Sequence, residues 1–205
     1  MTTAPSAGPV QARSSAQRPA RRSARDRLLA AADELFYEEG VHTVGIDRVI
    51  EKAGVAKATL YSTFGSKDEL VRAYLQGRHA RRSARMMEHL AQYDNPRERL
   101  LGVFDHLAGS IADPTFHGCA FVNASAESAP GSAAEQASDE YRAWIRNLCT
   151  DLARDAGASD PAGLAGQLQL LYDGANISAR MDRDRSAGIR ARAAAVTLLD
   201  AAIAG

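Results

Sequence analysis

Residues 45–64 constrain the fold more than any other part of the chain. Their sequence, GIDRVIEKAGVAKATLYSTF, predicts two helices of about two turns each, over 45–53 and 56–63, with Gly54 at the turn between them. Helices this short are not stable alone in water, so each must pack against longer neighbours. The pattern favours a helix-turn-helix, in which the second short helix enters the major groove of DNA.

A longer amphipathic helix precedes this pair, and another follows it. The first spans residues 23–39 and ends at Gly40; its apolar stripe consists of Leu28, Ala32, Leu35 and Phe36. The second opens at Ser66, where Ser66 and Glu69 match a capping box. It continues past Gly77 into a cluster of arginines, namely Arg78, Arg81, Arg82 and Arg85.

The rest of the chain also predicts helices. Asn95-Pro96 and Asp160-Pro161 each place proline after a capping residue, as at a helix start. Helical periodicity then extends over 95–111, 119–129 and 132–156. It resumes in a helix that begins after Asp160 and in a last helix from about residue 187 to the end. No convincing strand or internal repeat occurs, and 41 alanines favour helix. We predict an all-α protein of about nine helices.

Charge and composition exclude several classes of protein. Lysine plus arginine total 25 and aspartate plus glutamate 25, but residues 1–85 carry a balance of +6 and the remainder −6. The basic part can therefore meet phosphates. No apolar run long enough to span a membrane and no secretion signal is recognisable. Two cysteines are too few for a disulfide framework or zinc finger, so we expect a cytoplasmic protein with no membrane partner, metal or cofactor.

The run from Arg25 to Tyr74 resembles the DNA-binding domain of the TetR family of bacterial transcriptional regulators. The similarity is carried by the first apolar stripe with Gly40 and by Asp47-Arg48-Val49-Ile50, Ala53-Gly54-Val55, Lys57-Ala58-Thr59-Leu60-Tyr61 and Phe64-Gly65-Ser66-Lys67-Asp68-Glu69-Leu70. Two positions depart from the family pattern. Many members have a serine or threonine cap at the position of Gly45, and proline is frequent at that of Gly65. We expect Thr43 to provide the cap slightly earlier.

The resemblance implies DNA contacts along the two short helices, and the side-chain chemistry agrees. Residues 57–59 open the recognition helix, where a cation can address guanine and methyl groups can touch thymine. Tyr61, Thr63 and Lys67 are expected to bind phosphates, which position the protein without reading sequence. The predicted DNA-contacting residues are Thr43, Asp47, Arg48, Lys57, Ala58, Thr59, Tyr61, Ser62, Thr63 and Lys67.

For the C-terminal part, the resemblance implies an effector cavity and a dimer interface formed largely by the last two helices. The candidate cavity residues suit an apolar or amphipathic effector and are Phe104, Leu107, Ile111, Phe116, His117, Cys119, Phe121, Asn123, Trp144 and Tyr172. The candidate interface residues are Leu164, Leu168, Leu171, Ala175, Val196, Leu199 and Ile203. Residues 116–123 are similar to a segment that opens the sixth helix in a subset of the family.

These expectations divide the chain into three parts: a disordered basic arm over 1–20, a helix-turn-helix DNA-binding domain over 21–80, and an effector-binding and dimerisation domain over 81–205. The arm is either a solvated tail or a segment that lies along DNA.

We expect a ligand-responsive regulator, not an enzyme: a repressor that binds a pseudo-palindromic operator as a homodimer and is released by a small effector. Three alternatives remain open. Cys119 with His117 would suit a thiol- or metal-responsive regulator. Cys119 with His117 or His106 as base would suit a cysteine-dependent enzyme, although no oxyanion-hole or cofactor signature accompanies them. The third is an architectural DNA-binding protein without a ligand.

Overall fold

The computed structural model describes residues 22–204, and this part of the chain is all-α, with nine helices and no strand. The helices are α1 (Ala24–Glu39), α2 (Ile46–Ala53), α3 (Lys57–Phe64), α4 (Lys67–Leu90), α5 (Pro96–Ala112), α6 (Ala120–Ala126), α7 (Ala133–Asp155), α8 (Pro161–Met181) and α9 (Ala187–Ala204). The predicted fold class and helix number are confirmed. The basic arm predicted at 1–20 lies outside the described residues.

Helices α1, α2 and α3 share a small core that fixes the geometry of the helix-turn-helix. Leu28, Val49 and Leu60, one from each helix, are fully buried, and Phe64 packs against the same core from the end of α3. Gly54 joins α2 to α3 with a φ of +61°, in the left-handed region that glycine adopts without a steric penalty.

Helix α4 connects the two parts of the molecule without interruption. In its first half, Leu70 and Tyr74 are buried, and the Tyr74 ring packs edge-on against Phe36 of α1 at a centroid distance of 5.6 Å. In its second half, Met86 and Leu90 are fully buried among the C-terminal helices. The predicted domain boundary at residue 80 therefore falls inside a continuous helix.

Two predicted helix caps differ from the structure. Thr43 does not cap α2: the N-cap is Gly45, no side chain bonds there, and Thr43 lies in the preceding turn. At α4 the Ser66 hydroxyl accepts the Glu69 N–H at 3.1 Å, as expected. The Glu69 carboxylate, however, lies 3.4 Å from the Arg72 guanidinium, and no reciprocal bond closes the capping box.

The C-terminal helices pack into one bundle, in which α9 lies against α5 and α8, and α7 lies against α4 and α8. Four of the candidate interface residues are buried in this single-chain core, so they are not available to a partner: Leu164, Leu168, Ala175 and Leu199. The apolar periodicity located the buried face of these helices, but it did not show whether that face packs within the chain or against a second chain.

Helix α6 is also shorter than the predicted 119–129. No helix of the described part is long and apolar enough to cross a membrane.

Candidate DNA-binding surface and effector cavity

The ten candidate DNA-contacting residues all keep exposed or partly exposed side chains. Lys57 begins α3 and Asp47 lies in the first turn of α2; their Nζ and Oδ1 atoms are 3.0 Å apart, although both side chains are more than half exposed. The hydrogen bond that Lys57 donates to the Asp47 carboxylate raises the pKa of Lys57, so the lysine is charged. An exposed ion pair of this kind contributes little to folding and leaves the lysine free to exchange partners.

The remaining side chains of α3 present both polar and aromatic groups. Tyr61 is 45% exposed, and its neighbours Ser62 and Thr63 donate their hydroxyl protons to the Thr59 carbonyl at 3.0 and 2.6 Å. Such bonds to the preceding turn hold serine and threonine side chains in fixed positions in a helix. The recognition helix therefore offers one cation, one phenol and an ordered set of small side chains to solvent.

Of the candidate residues, Arg48 is the one held by a bidentate ion pair with another side chain. Its guanidinium forms a two-pronged contact with the Glu39 carboxylate at the end of α1, in which Nη2 and Oε1 are 2.9 Å apart. The hydrogen bond from Arg48 lowers the pKa of Glu39. Because the pair connects α1 to α2, Arg48 positions the helix-turn-helix in the free protein.

Arg27 is a positioning residue that sequence reasoning missed. From α1 its Nη1 donates to the carbonyl oxygens of Ala53 and Gly54, at 3.1 and 3.0 Å. These are two of the carbonyls that a helix end leaves without partners. Arg27 therefore anchors the turn between α2 and α3 to α1, a role that nothing in the local sequence pattern indicates.

A cavity with a volume of about 580 Å³ lies between α1, α4, α5, the loop before α6 and the first turn of α6. Of the ten candidate cavity residues only Phe116, His117 and Phe121 line it. Several of the others are buried in the core instead, among them Phe104, Leu107, Ile111, Cys119 and Tyr172. The expectation of a mainly apolar pocket does not hold for this cavity, because helical periodicity of apolar residues identifies core and not cavity walls.

One face of α4 gives the cavity its charge. Arg78, Arg81, Arg82 and Arg85 all line it, at the i, i+3, i+4 and i+7 spacing that places side chains on one helix face. Asp33 of α1 pairs with Arg78 at 2.8 Å and with Arg81 at 2.6 Å. The Arg78 guanidinium also lies 3.7 Å above the centre of the Tyr37 ring, a cation–π geometry.

Tyr37 joins α1 to the loop that closes the other side of the cavity. Its hydroxyl donates to the Gly118 carbonyl at 3.1 Å and accepts the His117 N–H at 3.0 Å. Gly118 has a φ of +96°, and a Cβ atom there would lie 2.7 Å from Cδ of Arg180. Since α1 is part of the helix-turn-helix unit, the DNA-binding part itself supplies one wall of the cavity.

A chain of hydrogen bonds leads from Arg82, on the wall of the cavity, into the core. Arg82 donates to the Tyr172 hydroxyl at 3.0 Å, which lies 3.0 Å from the Tyr141 hydroxyl. Tyr141 in turn stacks on Phe121 with ring centroids 3.9 Å apart. His106 also lines the cavity; burial, with Arg82, His89 and Arg85 nearby, lowers its pKa to about 4 and keeps it neutral at pH 7.

The cysteine alternatives find no geometric support in the described part of the chain. Cys119 is 6% exposed at the N-cap of α6, and Nδ1 of His117 lies 2.9 Å from the Thr115 carbonyl. Burial raises the pKa of Cys149 to about 12, so its thiol is unreactive. Between residues 22 and 204 no group of three or more histidine, cysteine, aspartate or glutamate side chains comes together as a metal site.

An exposed recognition helix, joined through one continuous helix to a larger bundle with a cavity, defines a helix-turn-helix DNA-binding protein with a ligand domain. Known sequences agree with this assignment. The family described as bacterial regulatory proteins, tetR family, matches residues 28–74, and the tetracyclin repressor-like C-terminal domain matches residues 96–195. The chain belongs to the TetR family of bacterial transcriptional regulators, as its sequence motifs predicted.

Solved structures support the same conclusion over the whole bundle. A TetR-type regulator from Streptomyces avermitilis is 36% identical with a TM-score of 0.81, covering 88% of this chain and 98% of that one. A TetR-family regulator from Streptomyces coelicolor is 31% identical with a TM-score of 0.83, covering 88% and 96%. The transcriptional activator FasR of Mycolicibacterium smegmatis is 48% identical over 52 residues, a segment that spans 25% of this chain and only 24% of the activator. The family is one of transcriptional regulators.

Proposed function

We propose that this regulator is a repressor that acts in the cytoplasm, binds a pseudo-palindromic operator as a homodimer, and releases it when a small effector occupies the cavity between α1, α4 and α5. The observation that carries the proposal is the shared wall: Asp33 and Tyr37 belong to α1 of the helix-turn-helix unit and also line the cavity. A ligand there meets the DNA-binding part directly.

In this proposal, α3 reads the DNA sequence. Lys57 and Thr59 address base edges, while Tyr61 and Lys67 bind phosphates on either side. Thr43, Asp47, Arg48, Ala58, Ser62 and Thr63 complete the proposed surface. Arg48 and Lys57 must exchange Glu39 and Asp47, their partners in the free protein, for DNA.

Dimerisation is assigned to the outer face of α8 and α9. Leu170 and Met181 on α8 are 74% and 76% exposed, Ile177 lies between them at 44%, and Ile189 on α9 is 64% exposed. The spacing of residues 170, 177 and 181 places them on one side of α8. Exposed apolar side chains on one helix face are typical of a protein interface. In this proposal they are joined by Ile203 and by the partly buried Leu171 and Val196 from the original candidates. A two-fold dimer through this face presents two copies of α3 to one DNA site.

Sequencing the genomic DNA fragments that the purified full chain retains at moderate salt tests this function. The expected result is a shared inverted repeat with half-sites about one helical turn apart, or a multiple of it, because each protomer places α3 in a major groove. Retained fragments without a common inverted repeat would contradict operator recognition by a dimer. The genes adjoining the recovered sites then indicate which small molecules to test as effectors.

A further inference from the structure

The four arginines of the cavity are not equivalent. Arg78 and Arg81 share the Asp33 carboxylate, within 2.8 Å in both cases. Within residues 22–204, Arg82 and Arg85 have no acidic side chain within 4 Å. Arg85 is exposed at the rim, whereas Arg82 lies deeper and reaches Tyr172.

Arg82 is left with an unsatisfied charge inside the protein. Its Nε atom is buried with no hydrogen-bond partner, and its one bond to a side chain goes to the neutral Tyr172 hydroxyl. Arginine cannot release its proton in a protein. A partly buried guanidinium with no carboxylate partner and an orphaned Nε therefore costs free energy, unless water or a bound anion supplies the missing acceptors.

The acidic side chains around the cavity do not meet this need. Asp105 lies 2.6 Å from the guanidinium of Arg192. Asp113 accepts both the N–H and the hydroxyl of Thr115, which lowers its pKa and directs it to its own turn. Asp33 serves Arg78 and Arg81, and Glu38 is exposed at the edge. The acceptor for Arg82 must come from outside the chain.

We propose that the cavity binds an organic carboxylate, whose charged end is held by Arg82 with Arg85 at the rim and whose apolar body lies against Phe116 and Phe121. A planar guanidinium donates two parallel hydrogen bonds to a carboxylate. The two phenylalanines and the volume of about 580 Å³ fit a small amphipathic molecule. This inference rests on the proposed function and names the chemical class of its effector.

The same arrangement indicates how the anion reaches the DNA-binding part. Arg82 follows Arg78 by one helical turn, and Arg85 follows Arg81 in the same way. A carboxylate at Arg82 therefore lies one turn from the ion pairs through which α4 holds Asp33 of α1. It competes with Asp33 for the arginine face of α4 and favours the arrangement in which α1 is less tightly held.

Calorimetric titration of the full chain with three matched probes tests the charge requirement. Phenylacetate, phenylacetamide and phenethylamine share one aromatic body and differ in charge; inorganic phosphate at equal ionic strength is the fourth arm. We expect phenylacetate to bind at least about tenfold more tightly than the amide, and the amine not to bind. Equal binding of acid and amide would overturn the proposal. So would binding of phosphate without phenylacetate, or no binding of any probe at millimolar concentration.

Substitutions at Arg82 test whether this residue holds the carboxylate. Arg82→Gln should weaken phenylacetate binding at least about tenfold, and Arg82→Lys should restore part of it. Arg99→Gln is the matched control, because Arg99 is a part-buried arginine of α5 that does not line the cavity. Unchanged affinity in a folded Arg82→Gln protein, as judged by circular dichroism, would contradict the assignment.

Operator binding, measured on the same samples, separates this inference from the proposed function. Probe binding without specific DNA binding would refute the repressor and leave the anion site in place. Specific DNA binding without any preference for the carboxylate would refute the anion site and leave the repressor in place.

Discussion

The DNA-binding surface and the cavity of this protein differ in how they are assembled. The proposed surface comes from one continuous stretch, residues 43–67, and its side chains lie on two short helices, the turns beside them and the first residue of α4. The cavity draws on α1, α4, α5, the loop before α6 and the first turn of α6, so that Asp33 and Phe121 line it although 88 positions separate them in sequence. The comparison teaches that a local pattern identifies the first kind of site, whereas the second depends on tertiary packing.

The proposed dimer provides the largest expected effect, because it doubles the DNA-binding surface. Leu170→Glu introduces a charge at a residue that is 74% exposed in the single chain, so folding should be little affected. If the outer face of α8 is the interface, the variant sediments as a monomer and loses operator affinity about a hundredfold or more, because the second recognition helix is no longer tethered.

Met87→Glu is the matched control for this variant. Met87 is also an exposed apolar residue, at 47%, but it lies on α4. A Leu170→Glu protein that remains dimeric would exclude this face of α8. Monomers of the Met87→Glu protein would show instead that the interface lies on α4.

Lys57→Ala tests the local surface directly. In the proposed dimer the substitution removes two cations from the surface assigned to base edges, and a good contact to a base is worth about 1–3 kcal/mol. We expect operator affinity to fall at least tenfold in fluorescence anisotropy, while phenylacetate affinity stays constant. Lys52→Ala is the control, because Lys52 pairs with Glu34 of α1 and is outside the proposed surface. Equal losses in both variants would indicate a general charge effect and not base reading.

The difference between a site formed by a local stretch and a site formed by tertiary packing explains what could be predicted from the sequence. The helices and the N-terminal motif were predictable because periodicity, caps and the Gly54 turn are local signals. The arginine face of α4 was visible in the spacing of Arg78 to Arg85, but nothing local showed that it opens onto a cavity. Tyr37 and Asp33 read as ordinary polar positions of α1, because their partners are remote in sequence.

The interface residues show the complementary error. Leu164, Leu168 and Leu199 followed the apolar stripes of α8 and α9, and the structure buries them within the chain. Leu170 and Met181 lie off these stripes and stay exposed, which makes them the candidates for the proposed interface. The dominant stripes indicated only the core.

Tyr37→Phe should weaken the link between the two regions. It removes one hydroxyl that donates to Gly118 and accepts from His117, leaving two part-buried backbone groups without this partner. We expect a loss of about 1–2 kcal/mol in the free energy of urea unfolding. The change in operator affinity produced by saturating phenylacetate should also decrease.

Thr150→Val provides the comparison, because it removes a hydroxyl bond confined to α7, to the Arg146 carbonyl, away from both the cavity and the proposed DNA surface. A Tyr37→Phe protein whose operator affinity still responds fully to phenylacetate would show that the loop bonds do not carry the coupling.

The smallest expected effect concerns His106 and the pH dependence of stability. Burial lowers the pKa of His106 from about 6.5 to about 4 in the folded protein. Between these values the unfolded chain binds a proton that the folded chain does not, so stability falls as pH decreases through this range and levels off below about 4. The decrease in the free energy of unfolding from pH 7 to pH 5.5 should be about 1 kcal/mol, since partial exposure of His106 keeps it below the full linkage value.

Urea unfolding of His106→Gln should show a correspondingly smaller decrease. His42→Gln, at an exposed position of the turn before α2, should retain the decrease of the parent. If His106→Gln also retains it, the ring is not desolvated by the cavity wall. The inner end of the cavity would then be open enough to water for Arg82 to be satisfied there without an anion.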